Sequence, residues 1–247
     1  MEEPTEIYGL RAVLEALEAG QPIDRIYLEK GVQGPLAREV QIMAKKKGAR
    51  LSYVPTQRLE RFRDRNHQGV VATISPVPLQ DYQPLIDKVV VETEFPLFLL
   101  LDGVSDVRNL GAIIRTAACT GVHAILLPQS GVAPITADTV KTSAGAVFQV
   151  PLGRCPHIKD AVFYLQAHGV QIVAASEKAK NTLYEIQMTG STALVMGSEE
   201  RGVSPAVLKI ADHSARLPIT GAIASLNVSV ACGAFLYEVV RQRLSQT

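Results

Sequence analysis

The chain has 247 residues, 47% of them hydrophobic and 20% charged, which excludes wholesale disorder and fits one or two domains. A net charge of +1, from 25 Lys and Arg against 24 Asp and Glu, excludes a polycation, and apolar runs such as Phe98–Leu101 are far too short to span a membrane. Cys119, Cys155 and Cys232 are odd in number and widely spaced. They offer neither a disulfide framework nor a zinc pair; with no basic-then-apolar leader at the start, a cytoplasmic protein with reduced thiols is expected.

In chain order, GLRAVLEALEAG sets Leu10, Val13, Leu14 and Leu17 on one helical face. DRIYLEKG, ARLSYVP and HQGVVATIS read as strands. Between the first two, PLAREVQIMAKKKG reads as a helix framed by Pro35 and Gly48. TQRLERFRD reads as a shorter helix with Thr56 as its N-cap. A small α/β domain over residues 4–75 is therefore expected. Residues 76–95 carry three prolines and an excess of acids (Asp81, Asp87, Glu92, Glu94 against Lys88) and read as a linker.

Over residues 96–247 strands alternate with helices. LFLLLDGV, HAILLP, VFQVPL, VQIVAAS, TALVMGS and SARLPI read as strands. NLGAIIRTAACTG, ADTVKTSAGA, HIKDAVFYLQAHG, SPAVLKIA and a long final segment from Ser225 to Arg243 read as helices. Short, continuously apolar strands alternating with helices predict an α/β fold with a mainly parallel sheet covered on both faces.

The charge is uneven along the chain. Residues 36–70 hold nine cations, including Lys45, Lys46, Lys47, Arg58, Arg61, Arg63 and Arg65, against three acids. Such a stretch is what a local nucleic-acid contact would look like, although charge alone fits a solvated helix face as well. The glycine fingerprint of dinucleotide-binding folds is missing after Leu101. Val203 stands where a phosphate loop needs Lys, and no H-E-x-x-H or C-x-x-C occurs, so no metal is expected.

What remains is polar residues at strand–helix junctions, where open parallel sheets bind ligands. In DGVSDVRNLGAIIRTA, Asn109 stands at a helix start as a ready N-cap, and Arg115 is a long cation among the small residues Gly111, Ala112, Ala118 and Cys119. That pattern fits either a snorkelling surface arginine or a space filled by another backbone or a ligand. In LVMGSEERGVSP, Gly197 ends an apolar strand and lets something approach the backbone closely, while Ser204 and Pro205 open the next helix. In RLPITGAIASLNVSVACG, Ser225, Asn227 and Ser229 are more polar groups than an apolar helix start needs. Backbone N–H groups there suit an anionic group.

NLGAIIRTA, VMGSEERGVSP and LPITGAIASLNVSVA resemble, in order, the three motifs of the SpoU/TrmH branch of the SPOUT methyltransferases, which methylate RNA at the ribose 2′-oxygen. IYGLRAVLEAL and HQGVVA resemble both ends of that family's L30e-like RNA-binding domain. The resemblance covers nearly the whole chain. It implies a trefoil-knotted C-terminal domain over residues 96–247 and S-adenosylmethionine bound near Gly197, Leu217, Ile219 and Leu226, helped by Thr142 and Ser143. It implies Arg115, Asn109, Glu199, Ser225 and Asn227 as the catalytic site. It also implies an RNA substrate, with 23S rRNA expected, and a homodimer through the C-terminal domain whose site draws on both chains. The same chemistry on tRNA, or a non-catalytic RNA-binding protein of the same fold, are the alternatives. Arg115 is the family's usual base. A guanidinium stays protonated at neutral pH, so gripping a phosphate and stabilising the alkoxide is its other possible role. Glu200 stands where the family commonly has Gly, which leaves the loop's conformation open.

Overall fold

The computed structural model describes residues 6–221 and 225–245 and divides into two units, the first running to Leu79 and including Pro134–Ala137, the second holding the rest. The first holds β1 (Glu6–Tyr8), α1 (Leu10–Glu18), β2 (Ile23–Glu29), α2 (Pro35–Lys46), β3 (Arg50–Val54) and β4 (Val70–Ile74). Its sheet runs β1-β4-β2-β3, with β2 parallel to β3 and antiparallel to β4. Val13 and Leu17 of α1 and Val40 and Ala44 of α2 bury against Ile26, Leu28, Val70 and Ala72 on one face of that sheet. The strand β1 escaped the sequence reading because three residues are too few to show alternation. TQRLERFRD is not a regular helix but two 3₁₀ turns, Thr56–Arg58 and Glu60–Phe62. Thr56 does not cap it; its Oγ1 donates to Glu29 Oε1 at 2.5 Å.

The second unit contains β5 (Leu79–Asp81), α3 (Tyr82–Glu92), β6 (Leu97–Asp102), α4 (Val107–Cys119), β7 (Ala124–Pro128), α5 (Ala137–Thr142), β8 (Leu152–Cys155) and α6 (Ile158–Ala167). It continues with β9 (Gln171–Ala175), β10 (Asn181–Thr182), β11 (Thr192–Gly197), α7 (Pro205–Leu208), β12 (His213–Arg216) and α8 (Val228–Leu244). The sheet order is β10-β12-β9-β11-β6-β7-β8-β5, and every neighbouring pair from β10 to β8 is parallel. Alternate strand residues such as Phe98, Leu100, Ala193 and Val195 bury beneath α3, α6 and α7. On the other face α8 packs on α4 and β11.

The linker expected over 76–95 is corrected. Residues 82–92 form α3, which buries Leu85, Ile86 and Val89 and packs on β7, β8 and α6. Asp81 caps it by accepting from Gln83 N at 3.2 Å. Pro84 sits in the first turn, where an amide hydrogen has no helical acceptor to lose, so it does not break the helix. The expected strand VFQVPL also shifts: Ala146–Phe148 is a 3₁₀ turn and β8 begins at Leu152.

Parallel strands bring their carboxyl ends to one rim. Gly197 of β11 pairs with Asp102 of β6 there, and Ala175 and Arg216 end β9 and β12 beside them.

Candidate active site

Three chain segments meet at this rim. α4 is capped by Asp106, whose Oδ1 accepts from Arg108 N and Asn109 N, both at 2.9 Å. The cap expected at Asn109 thus falls three residues earlier, and the Asn109 side chain is free for another partner. α8 is capped by Asn227 rather than by Ser225; its Oδ1 accepts from Ser229 N at 2.9 Å and Val230 N at 3.4 Å. The other end of the same amide, Nδ2, donates to Asn109 Oδ1 at 2.9 Å and to Glu199 Oε1 at 2.7 Å. Glu199 Oε1 also accepts from Val228 N at 3.4 Å, so its negative charge lies at the amino end of α8, where the helix dipole favours it.

Glu199 stands in a loop closed by paired backbone bonds, Ser198 N to Gly202 O at 3.1 Å and Gly202 N to Ser198 O at 2.9 Å. Asp102 ties the loop's exit to β6 by accepting from Ser204 N at 2.8 Å. Glu200 keeps a φ outside the left-handed region, so the loop holds a side chain there without backbone strain. Gly197 is tight for a reason internal to the chain: a Cβ on it would stand 1.9 Å from Gly202 C. The close approach expected there is made by the protein's own backbone.

The loop separates two cavities. One, of about 220 Å³, is lined by Gly197, Leu217, Ile219, Ser225 and Leu226 together with Met196, Val228 and Phe235. The other, of about 560 Å³, is bounded by Asp102, Asp106, Asn109, Glu199 and Arg201. Of the cofactor residues expected, Gly197, Leu217, Ile219 and Leu226 share the first cavity. Thr142 and Ser143 line neither. They press instead on Gly111 of α4, where a Cβ would meet Thr142 Oγ1 at 1.9 Å. At Gly111, then, the space beside α4 is taken by the Thr142 side chain and the Ser143 backbone, whereas Cys119 on the same helix is exposed. Arg115 projects from α4 exposed, lines neither cavity and has no partner among the described residues. It follows Asn109 by six residues, roughly 9 Å along the axis and on a different face. Residues 222–224 of the third motif lie outside the described residues.

The first cavity joins apolar and polar surface. Leu226 and Ile219 stand 48% and 40% exposed, and Ser176, Glu177 and Lys178 supply polar groups beside them. Those three residues follow β9, and the sequence reading missed them. The signal was present, because any residue after a parallel strand reaches this rim.

A model of the SpoU rRNA Methylase family matches residues 96–237. The chain belongs to this family. A second model, described as RNA 2′-O ribose methyltransferase substrate binding, matches residues 7–80. The chain is 36% identical to the 23S rRNA (guanosine-2′-O-)-methyltransferase RlmB of Vibrio vulnificus over 97% of each chain. Among solved structures it resembles the SpoU methyltransferase AviRb of Streptomyces viridochromogenes in complex with AdoMet (TM-score 0.62, 26% identity, 97% of this chain and 90% of that one). It also resembles the AdoMet-bound rRNA methyltransferase of Sinorhizobium meliloti (TM-score 0.62, 28% identity, 96% and 87%). The α/β SPOUT architecture with a smaller N-terminal domain is that of this SpoU protein. No helix among the described residues is long and apolar enough to cross a membrane.

Proposed function

We propose that this SpoU protein methylates a ribose 2′-hydroxyl of RNA, with 23S rRNA as substrate and the cytoplasm as its place of work. The observation that carries the reading is the junction of Asn109, Glu199 and Asn227, one residue from each motif, in which Asn109 and Glu199 line the second cavity and Glu199 also lines the first. The relatives' names supply the substrate class and the AdoMet-bound neighbours the donor.

S-adenosylmethionine supplies the methyl group when bound. The chain's own part is to hold the acceptor and manage its proton. Gly197, Leu217, Ile219 and Leu226 would hold the adenosine, and the backbone at the rim would approach it closely. In the second cavity Asn109 would orient the ribose. Glu199 fixes the Asn227 amide and the start of α8, so that the loop and the helix present one rigid wall. A ribose hydroxyl that loses its proton becomes an alkoxide, and a nearby cation lowers that cost.

Arg115 would supply that cation from the second chain of a homodimer. Val230 and Tyr237 are 58% and 57% exposed and, with Ala234 and Leu244, lie around Arg241 on one face of α8, beside the helix that bears Arg115. Exposed apolar residues on an already packed helix, with Arg241 among them held by Glu238 at 2.8 Å, are what a second subunit would cover. Light scattering should give twice the chain mass; a monomer at micromolar concentration overturns the dimer. For the activity, the full chain is incubated with methyl-labelled S-adenosylmethionine and unmodified 23S rRNA transcript. Label at a ribose resistant to alkaline cleavage is the expected result. Label on tRNA instead corrects the substrate, and donor binding without label on either overturns the enzymatic reading.

A further inference from the structure

The cations of residues 36–70 do not form one surface. Lys45 and Lys46 lie in the last turn of α2 and Lys47 caps it, before β3; Arg58, Arg61, Arg63 and Arg65 follow β3. The five residues of β3 hold the groups roughly 16 Å apart. The lysines have a structural explanation, since cations near a helix carboxyl end stabilise its dipole.

The arginines sit differently. Strand register puts Tyr8, Val71, Tyr27 and Ser52 in one row across the sheet face that α1 and α2 leave uncovered. Leu59 and Phe62 bury into that row with Val54 and Val71, which anchors the two 3₁₀ turns and leaves the arginines outside. Arg61 lies 4.3 Å from the Phe62 ring, Arg65 5.9 Å from Tyr8 and Arg25 5.7 Å from Tyr27. Arg58, Arg63 and Arg65 have no carboxylate partner among the described residues, and Arg61 reaches only Glu6, at 3.9 Å. With Glu60 and Asp64 against four arginines, residues 56–66 keep a net charge of +2.

We infer that unpaired RNA docks on this arginine and aromatic face, its phosphates held by Arg58, Arg63 and Arg65 and a base laid beside Tyr27. The inference rests on the proposed RNA-methylating function. Planar guanidinium forks grip phosphate oxygens, and aromatic faces stack unpaired bases without needing a particular sequence. Rings already paired with guanidinium groups are part-ordered before RNA arrives, so less freedom is lost on binding.

The test compares three triple variants of the full chain on unmodified 23S rRNA transcript over a range of salt. The variant R58A/R63A/R65A should bind about tenfold or more weakly, with a salt slope shallower by about 2, since each lost phosphate contact removes about 0.7–0.9. The variant K45A/K46A/K47A should stay within about twofold of the unaltered chain, a loss far below that of three phosphate contacts. Should the alanine variant melt early, R58K/R63K/R65K keeps the charges; it should keep the slope and still bind several-fold more weakly. Unchanged affinity in either arginine variant, or an equal loss in the lysine variant, overturns the inference. Binding of S-adenosylmethionine should be the same in all. An unaltered chain that binds the donor but no transcript would overturn the RNA reading itself, a different failure from a misplaced surface.

Discussion

The two sheets place their polar residues in opposite ways. The eight-stranded sheet is covered on both faces, so β6, β7 and β11 are buried almost end to end. Polar chemistry there has nowhere to go but the strand ends, and Asp102, Asn109, Glu199 and Asn227 collect at one rim. The four-stranded sheet carries its helices on one face only, so Arg25, Tyr27 and Glu29 alternate with Ile26 and Leu28 along β2. One architecture concentrates function at a few positions and the other spreads it over a face. Single substitutions at the rim should therefore be costly, while those on the face should be mild and additive.

The largest effect should come from Glu199→Ala. It removes the acceptor that Asn227 Nδ2 and Val228 N share, leaving Asn227 Nδ2 only Asn109 Oδ1, and loosens the wall against which the ribose would lie. Methyl transfer should fall by about 10²–10³, measured as single-turnover label incorporation with the melting temperature as control. Gly197→Ala should follow. Its Cβ would overlap the Gly202 backbone, which no rotamer change relieves, so a stability loss of about 3 kcal/mol or more is expected in denaturant titration, with donor binding lost. A fully stable Gly197→Ala protein would break the claim that the loop is packed by its own chain.

Arg115→Ala tests whether the site is completed from a second chain. It should cut the rate by about 10²–10³ and leave donor affinity alone, although Arg115 has no hydrogen-bond or ion-pair partner among the described residues of its own chain. Mixing inactive Arg115→Ala and Asn227→Ala chains should restore part of the activity, because a mixed dimer rebuilds one intact site. Arg115→Lys separates the roles. An inactive, folded, donor-binding lysine variant favours phosphate gripping, whereas activity that rises toward high pH favours a base. Full activity in Arg115→Ala would return the residue to the solvent surface.

The same contrast explains what the sequence showed. The buried strands are legible as apolar runs, and the motif residues Asn109, Glu199 and Asn227 do meet. Their caps were misplaced because Asp106 and Asn109, or Ser225 and Asn227, are equally good capping residues by type, and only backbone dihedrals choose between them. α3 was hidden behind three prolines, since composition does not say that Pro84 falls in a first turn. Charge along the chain also misled. Nine cations in 35 positions read as one basic stretch, but β3 separates four of them, Arg58, Arg61, Arg63 and Arg65, from the lysines that end α2.

The smallest effect should come from the opposite rim of the large sheet, where the strands begin, away from the residues that line the two cavities. At that rim His123 Nδ1 accepts from Leu97 N at 3.0 Å, joining the starts of β6 and β7. Arg243 donates nearby to Phe95 O at 2.9 Å and Gly190 O at 2.8 Å. Burial, and then the Arg243 guanidinium, hold the His123 imidazole below its ordinary value of 6.5. A protonated Nδ1 would also point its hydrogen at the Leu97 amide. A histidine depressed in the folded state adds stability that is present above the unfolded value, about 6.5. That stability is lost as pH falls from there through the lower folded value. The melting temperature should therefore drop between neutral pH and pH about 5. His123→Asn offers an amide oxygen in place of Nδ1 and does not titrate, so its drop should be smaller while its methyl transfer stays unchanged at neutral pH. An equal drop in both proteins would remove His123 from the acid response. A loss of activity in His123→Asn would break the division of the sheet into a rim for chemistry and a rim for stability.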